Sequence, residues 1–281
     1  MAFTSTALQA DWLGACRRAV GSLEELLADA PSTDQRARET GTRGSGGDRT
    51  LVIDADAESL VVAELDALHA QGHRFHAVSE ERGEIDYGDA GVRVIVDPID
   101  GSLNAKRGAL HYALSVAVAD GATEKDVAFG FVHDFGAGEQ WWAYRGGGAF
   151  CNGEPLDPRT PERRSPDGLL ELVGIESADP RWVAAGIDGL QACAHRLRAM
   201  GTIASTLCQV AAARFDGMVT MSSARGVDAA AGQLIVREAG GLINFTAFKD
   251  PLGAPLDATP SSPLVAARSQ RGLRELEQVH A

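Results

Sequence analysis

Four cysteines in 281 residues are too few and too scattered for a disulfide framework or a zinc site. Cys16, Cys151, Cys193 and Cys208 form no CxxC pair, and the pattern predicts reduced core thiols in a cytoplasmic protein. Long apolar runs are missing too: none reaches the roughly 18 residues that cross a bilayer. The opening "MAFTSTALQADWLGACRRAV" has no basic stretch leading into an apolar core, so no signal peptide is expected. Basic residues are outnumbered, 26 Lys plus Arg against 39 Asp plus Glu, a formal charge of −13. That balance argues against nucleic acid and against anionic membrane as partners. Motifs are lacking as well. There is no GxGxxG for a dinucleotide and no GxSxG elbow for a nucleophilic hydrolase. The Gly-rich "GTRGSGGDRT" does not end in the GK[ST] of a phosphate-cradling kinase loop.

What remains is an ordinary globular composition, 44% hydrophobic and 23% charged, in a chain long enough for one large core or two modest ones. Apolar spacing from Leu8 to Ala30 predicts an amphipathic helix, and 51–72 a second one ending near Gly72. The polar, Gly-rich stretch 39–50 between them reads as a mobile loop. "RFHAVSEERG", "VRVIV", "YALSVAVA" and "VAFGFVHDF" read as strands, and "EQWWAYRGGGAFCNG" as a hairpin. Four of the 11 prolines fall in 154–168, the best candidate for a boundary between halves. Beyond it come strand, helix and strand in "LRAMGTIASTLCQVAAARFDGMVTM", then a helix and strand in "VDAAAGQLIVREAGGLINF".

The chemistry-bearing feature is "VRVIVDPIDGSLN", 92–104, where an apolar strand ends in Asp97 and Asp100 around a proline, with a glycine next. Asp54 with Glu58, Glu80 with Glu81, and Asp228 also sit where a strand meets a turn or helix. Taken singly each is an unremarkable surface acid, and Glu58 reads as plain helix surface. Together they are the oxygen-rich set that a hard cation such as Mg²⁺ requires. Pro98 stiffens the exit from the strand, and Gly101 lets main-chain N–H groups approach an anion closely.

"DPIDGSLN", preceded by "SEERG" and followed by "VDAAAGQLIVREAGG", resembles the inositol monophosphatase family of Mg²⁺-dependent, lithium-sensitive phosphatases, in order from about residue 40 to 265. The form of the motifs looks closest to the archaeal-type branch, in which inositol monophosphatase and fructose-1,6-bisphosphatase activities coexist. The resemblance implies a layered α/β/α/β/α sandwich. Its N-terminal half, 1–153, would carry most metal ligands, and its C-terminal half, 154–281, the last metal aspartate and the substrate contacts. Glu80, Asp97 and the Ile99 carbonyl would hold one Mg²⁺, and Asp97, Asp100 and Asp228 a second, with a third, weaker ion reached from Glu80. Gly101 and Ser102 would bind phosphate. Asp54 and Ser102 would orient the attacking water with Glu81 in support, and Asp100 would stand near the ester oxygen. Gly201, Thr202 and Ala204 would line the substrate side.

The implied reaction is hydrolysis of a small sugar, cyclitol or nucleoside phosphate by metal-activated water. A fructose-1,6-bisphosphatase, a nucleotide bisphosphate phosphatase and a catalytically silent sugar-phosphate-binding relative are the alternatives. Homodimers are usual for such proteins. Some residues depart from the family pattern. Val227 replaces the usual tryptophan, Ala105 the usual phenylalanine, and Ile203 the usual alanine. Met221 falls where animal members place an inositol-contacting glutamate. Lys106, Arg107, Arg225 and Arg49 are basic groups that would suit a second phosphate.

Overall fold

The computed structural model describes residues 6–43 and 49–280. Helix α1 (Trp12–Asp29) starts where the Asp11 side chain accepts the Gly14 N–H at 2.9 Å, and it buries Ala15, Cys16, Ala19 and Leu23 along one stripe. A single turn, α2 (Thr33–Arg36), leads to the hairpin β1 (Glu39–Arg43) and β2 (Arg49–Leu51). The expected loop over 39–50 is therefore paired at both ends. Its middle, 44–48, and the Arg49 side chain lie outside what is described. Helix α3 (Val52–Ala70) follows directly and packs on α1.

The first sheet contains β3 (His76–Ser79), β4 (Gly83–Asp86) and β5 (Arg93–Asp100). After α4 (Ser102–Arg107) come β6 (Ala113–Ala119), β7 (Val127–Asp134), β8 (Glu139–Tyr144), β9 (Gly148–Cys151) and β10 (Glu154–Pro155). The order is β10-β9-β8-β7-β6-β5-β3-β4. Every residue of β6 is buried, because both faces are covered. Leu114, Val116 and Val118 meet α1 and α3, whereas Ala113, Ala117 and Ala119 face the other side.

The second sheet has order β12-β11-β13-β15-β14, with β11 (Val173–Glu176), β12 (Leu197–Arg198), β13 (Gly217–Thr220), β14 (Leu242–Phe245) and β15 (Leu264–Ala267). Helices α5 (Pro180–Ala185) and α6 (Ile187–Cys193) connect β11 to β12. Between the sheets lie α7 (Ile203–Ala211) and α8 (Gly226–Glu238), and α9 (Gln270–Glu277) joins α6 on the far face. The layers are thus helix, sheet, helix, sheet, helix. One cluster of buried side chains, with Ile95 and Trp141 from the first sheet, Leu207 and Leu234 from the middle helices and Phe245 from the second sheet, runs through the centre.

Candidate active site

Strand β5 runs regularly to Asp97 and then bulges. Asp97 pairs with Ser115 but Asp100 with Ala113, so β5 carries one residue more than its partner. Such an insertion re-aims the side chain beyond it. Asp100 consequently reaches the second half of the chain, where its Oδ2 accepts the Thr202 hydroxyl and the Ala204 N–H, the latter at 2.7 Å. Gly101 then adopts φ +89°, and a side chain there would meet the carbonyl oxygens of Gly201 at 3.0 Å and His111 at 3.1 Å. Only glycine fits, and helix α4 begins immediately after it. The Ser102 hydroxyl donates to the Ile99 carbonyl at 3.0 Å.

Three acids from separate elements converge on this exit. Glu80 follows β3, Asp97 lies on β5 and Asp228 sits in the first turn of α8; a carboxylate oxygen of each lies within 4.8 Å of the others. Asp97 is 1% exposed; its Oδ1 accepts the Ile99 N–H at 3.1 Å, and its Oδ2 has no hydrogen-bond partner among the described residues. Burial, and then the charges of Glu80, Asp100 and Asp228, push the Asp97 carboxyl well above the usual range. Asp100 is raised in the same way by burial and by Asp228, and Glu80 by burial. Asp54, on the first turn of α3, is pushed up to about 7 by burial and then by Glu81; its buried Oδ1 also has no partner among the described residues. Buried carboxylate oxygens without donors, and no nitrogen or sulfur ligand in the set, fit a hard divalent cation.

A cavity of about 420 Å³ opens over these groups, lined by Asp54, Glu80, Glu81, Ile99, Gly101, Ser102, Lys106 and Arg225 among others. A second, of about 290 Å³, lies beyond Asp100 and Asp228 and is lined by Glu176, Ser177, Ala178, Ala199, Gly201, Thr202 and Ile203.

This arrangement has counterparts. A profile of the inositol monophosphatase family matches residues 10–280. The chain belongs to the inositol monophosphatase family. Over 243 residues, 83% of each chain, it is 31% identical to a fructose-1,6-bisphosphatase/inositol-1-monophosphatase of Methanothermobacter thermautotrophicus. It is 33% identical over 232 residues to the Nus factor SuhB of Escherichia coli K12, covering 81% of this chain and 82% of that one. A crystal structure described as an inositol monophosphatase-fructose 1,6 bisphosphatase superposes with a TM-score of 0.80 at 26% identity, covering 96% of this chain and all of that one.

The other residues singled out in the sequence are more scattered. Arg225 is turned onto the acids, with Nη1 2.5 Å from Glu80 and Nη2 2.8 Å from Asp228. Arg107 is exposed on the last turn of α4, outside the cavity that Lys106 lines. Met221 is buried in the core under the second sheet. Glu58, read as helix surface, is 1% exposed; it accepts the Ser79 hydroxyl and the Arg82 N–H, fixing the turn that carries Glu80 and Glu81. Two supports escaped sequence reasoning. Glu176 accepts the N–H groups of Met200 and Gly201 at 3.0 and 2.9 Å and the Thr206 hydroxyl at 2.6 Å. Asn104 donates to the carbonyls of His111 and Met200. A lone acid ending the apolar run "LVGIE" was the available signal for Glu176.

Proposed function

We propose that this protein is a Mg²⁺-dependent phosphomonoesterase acting on a small sugar, cyclitol or nucleoside phosphate. The observation that carries the reading is the meeting of Glu80, Asp97 and Asp228 within 4.8 Å, directly before the Gly101–Ser102 turn. Glu80, Asp97 and the Ile99 carbonyl would hold one ion, and Asp97, Asp100 and Asp228 another. Bound there, Mg²⁺ supplies Lewis-acid activation of water and neutralises phosphoryl charge. The chain's own groups do the rest. Main-chain N–H groups of Gly101 and Ser102 bind phosphoryl oxygens at the cavity wall. Asp54 offers its unpartnered Oδ1 to a proton of the attacking water, with Ser102 and Glu81 beside it.

The leaving alcohol would occupy the 290 Å³ cavity against Gly201, Thr202 and Ile203. Among the described residues, those lining that cavity include two acids of the metal set, Asp100 and Asp228, with Glu176 and hydroxyls, and no basic side chain. That chemistry favours a neutral, hydroxyl-bearing leaving group over one with a second phosphate. The four cysteines carry free thiols, in keeping with work in a reducing cytoplasm.

The test is phosphate release from a panel of inositol, sugar, sugar bisphosphate and nucleoside phosphates, with Mg²⁺ and with EDTA. Turnover that requires Mg²⁺ and prefers monophosphates is expected. Metal-independent turnover would overturn the mechanism, and a strong preference for fructose 1,6-bisphosphate would overturn the assignment of the leaving-group cavity.

A further inference from the structure

Every guanidinium nitrogen of Arg225 is spent on acids. Nη1 lies 2.5 Å from Glu80, Nη2 2.8 Å from Asp228 Oδ1, and Nε 3.1 and 3.0 Å from the two Asp228 oxygens. Glu80 and Asp228 are also two of the three acids whose oxygens converge with Asp97. We propose that Arg225 is a built-in counter-cation for this carboxylate cage, displaced when divalent ions bind and thereby freed to pair with the substrate's phosphate. This rests on reading the cage as a divalent-cation site.

The argument is one of competition for lone pairs. Mg²⁺ generally takes its oxygen ligands at about 2.0–2.1 Å. A guanidinium at 2.5–3.1 Å from the same carboxylates blocks that approach and adds repulsion in a buried setting. Without either cation, Glu80, Asp97 and Asp228 would repel one another with little water to screen them. Arg225 relieves this, and the acids in turn hold its charge firmly: although burial works the other way, Asp228 and Glu80 raise its pKa further.

A structural arginine looks different in this same protein. Arg268 is buried and donates to the main-chain carbonyls of Thr160, Ala211 and Ala239, contacts that no bound ion would contest. Among the described residues the Arg225 guanidinium meets only carboxylates. It also lines the 420 Å³ cavity with Lys106, Gly101 and Ser102, so a rotation off the acids keeps it over the phosphate-binding turn. Besides the ions themselves, metal binding would then raise the number of basic side chains facing a phosphate at that turn, among the described residues, from one, Lys106, to two.

The experiment compares wild type, Arg225→Gln, Arg225→Lys and a Lys106→Gln control, all stripped of metal. Mn²⁺ and Mg²⁺ are titrated by calorimetry, melting is followed in EDTA, and inorganic phosphate is titrated with Mg²⁺ present. Because competing ligands weaken each other reciprocally, Arg225→Gln should bind Mn²⁺ at least about fivefold tighter than wild type. It should melt lower in EDTA and bind phosphate about fivefold more weakly. Arg225→Lys, a charge without the fork, should fall between, and it carries the test should the Gln variant not fold. Unchanged or weaker Mn²⁺ binding in Arg225→Gln overturns displacement. So does an equal tightening in Lys106→Gln, which would mean a general field effect. Unaltered phosphate binding overturns the second role. A wild type that takes up neither ion fails at the earlier step, sinking the metal-centre reading itself.

Discussion

Two kinds of buried acid occur in this fold and behave in opposite ways. Glu176 is met by donors, the main-chain N–H groups of Met200 and Gly201 and the Thr206 hydroxyl among them. Around Asp97 the neighbours are other acids, one carboxylate oxygen has no partner, and Arg225 supplies the nearby positive charge. A buried acid that is fully donated to is a brace, here fixing the 200–206 segment that carries Gly201, Thr202 and Ala204. A buried acid left short of donors, crowded by other acids at the edge of a cavity, costs stability and marks a place for something else to bind.

The comparison is broken most directly by neutralising one acid of each kind. Asp97→Asn should cut Mg²⁺-dependent turnover by more than about 100-fold, since even supporting residues of metal sites are worth 10–100-fold. Its melting temperature in EDTA should stay level or rise, because a buried carboxyl crowded by other acids has gone. Glu176→Gln should instead destabilise the protein by about 2 kcal/mol by leaving a buried N–H without an acceptor, equally with EDTA and with Mg²⁺. If the two variants behaved alike in melting experiments, the distinction between brace and binding site would fail.

A pH series sharpens the same contrast. Asp54 is pushed up to about 7, and Asp97 and Asp100 are raised well above their ordinary values, all chiefly by burial. These groups hold protons in the folded state that they release near pH 4 when unfolded. Their contribution is therefore complete below about pH 4 and is lost as pH rises through the folded values. Metal-free protein should melt several degrees lower at pH 8 than at pH 5. Mg²⁺ should abolish most of that fall, because the ionised acids are then paired. A flat profile in EDTA would mean that the cage is hydrated and already relaxed.

How far the sequence discloses this follows from the same physics. The strand ending in "DPIDG" is legible because an apolar run, a stiff proline and a glycine needed at φ +89° are local features. The layered fold and the convergence of Glu80, Asp97 and Asp228 were implied by the family resemblance that the ordered motifs carry, since no single acid pair announces a contact across well over a hundred residues. Glu58 misled because its four-residue spacing from Asp54 is what exposed helices also show; only the tertiary turn at 79–82 buries it. Arg225 was only half legible for a related reason. Its charge suggests phosphate, but nothing local discloses that it also reaches Glu80, 145 residues away. The loop over 39–50 was too polar and Gly-rich to suggest pairing, yet Glu39 opposes Leu51.

The smallest expected effect concerns Ser102, whose hydroxyl donates to the Ile99 carbonyl while the residue opens helix α4. Both ends of that contact belong to the proposed machinery: the carbonyl as a metal ligand, the hydroxyl as a partner of the attacking water. Ser102→Ala removes one partly buried hydrogen bond, so stability should fall by only about 1 kcal/mol. Helix α4 should still start at Gly101, because its φ and its close approach to Gly201 and His111 are unchanged. Turnover should drop by about 10–100-fold, with KM little altered, because the hydroxyl matters to orienting water rather than to holding phosphate. Ser102→Thr should restore it. An equal rise in KM would instead assign Ser102 to phosphate binding, and would move the water-orienting role onto Asp54 alone.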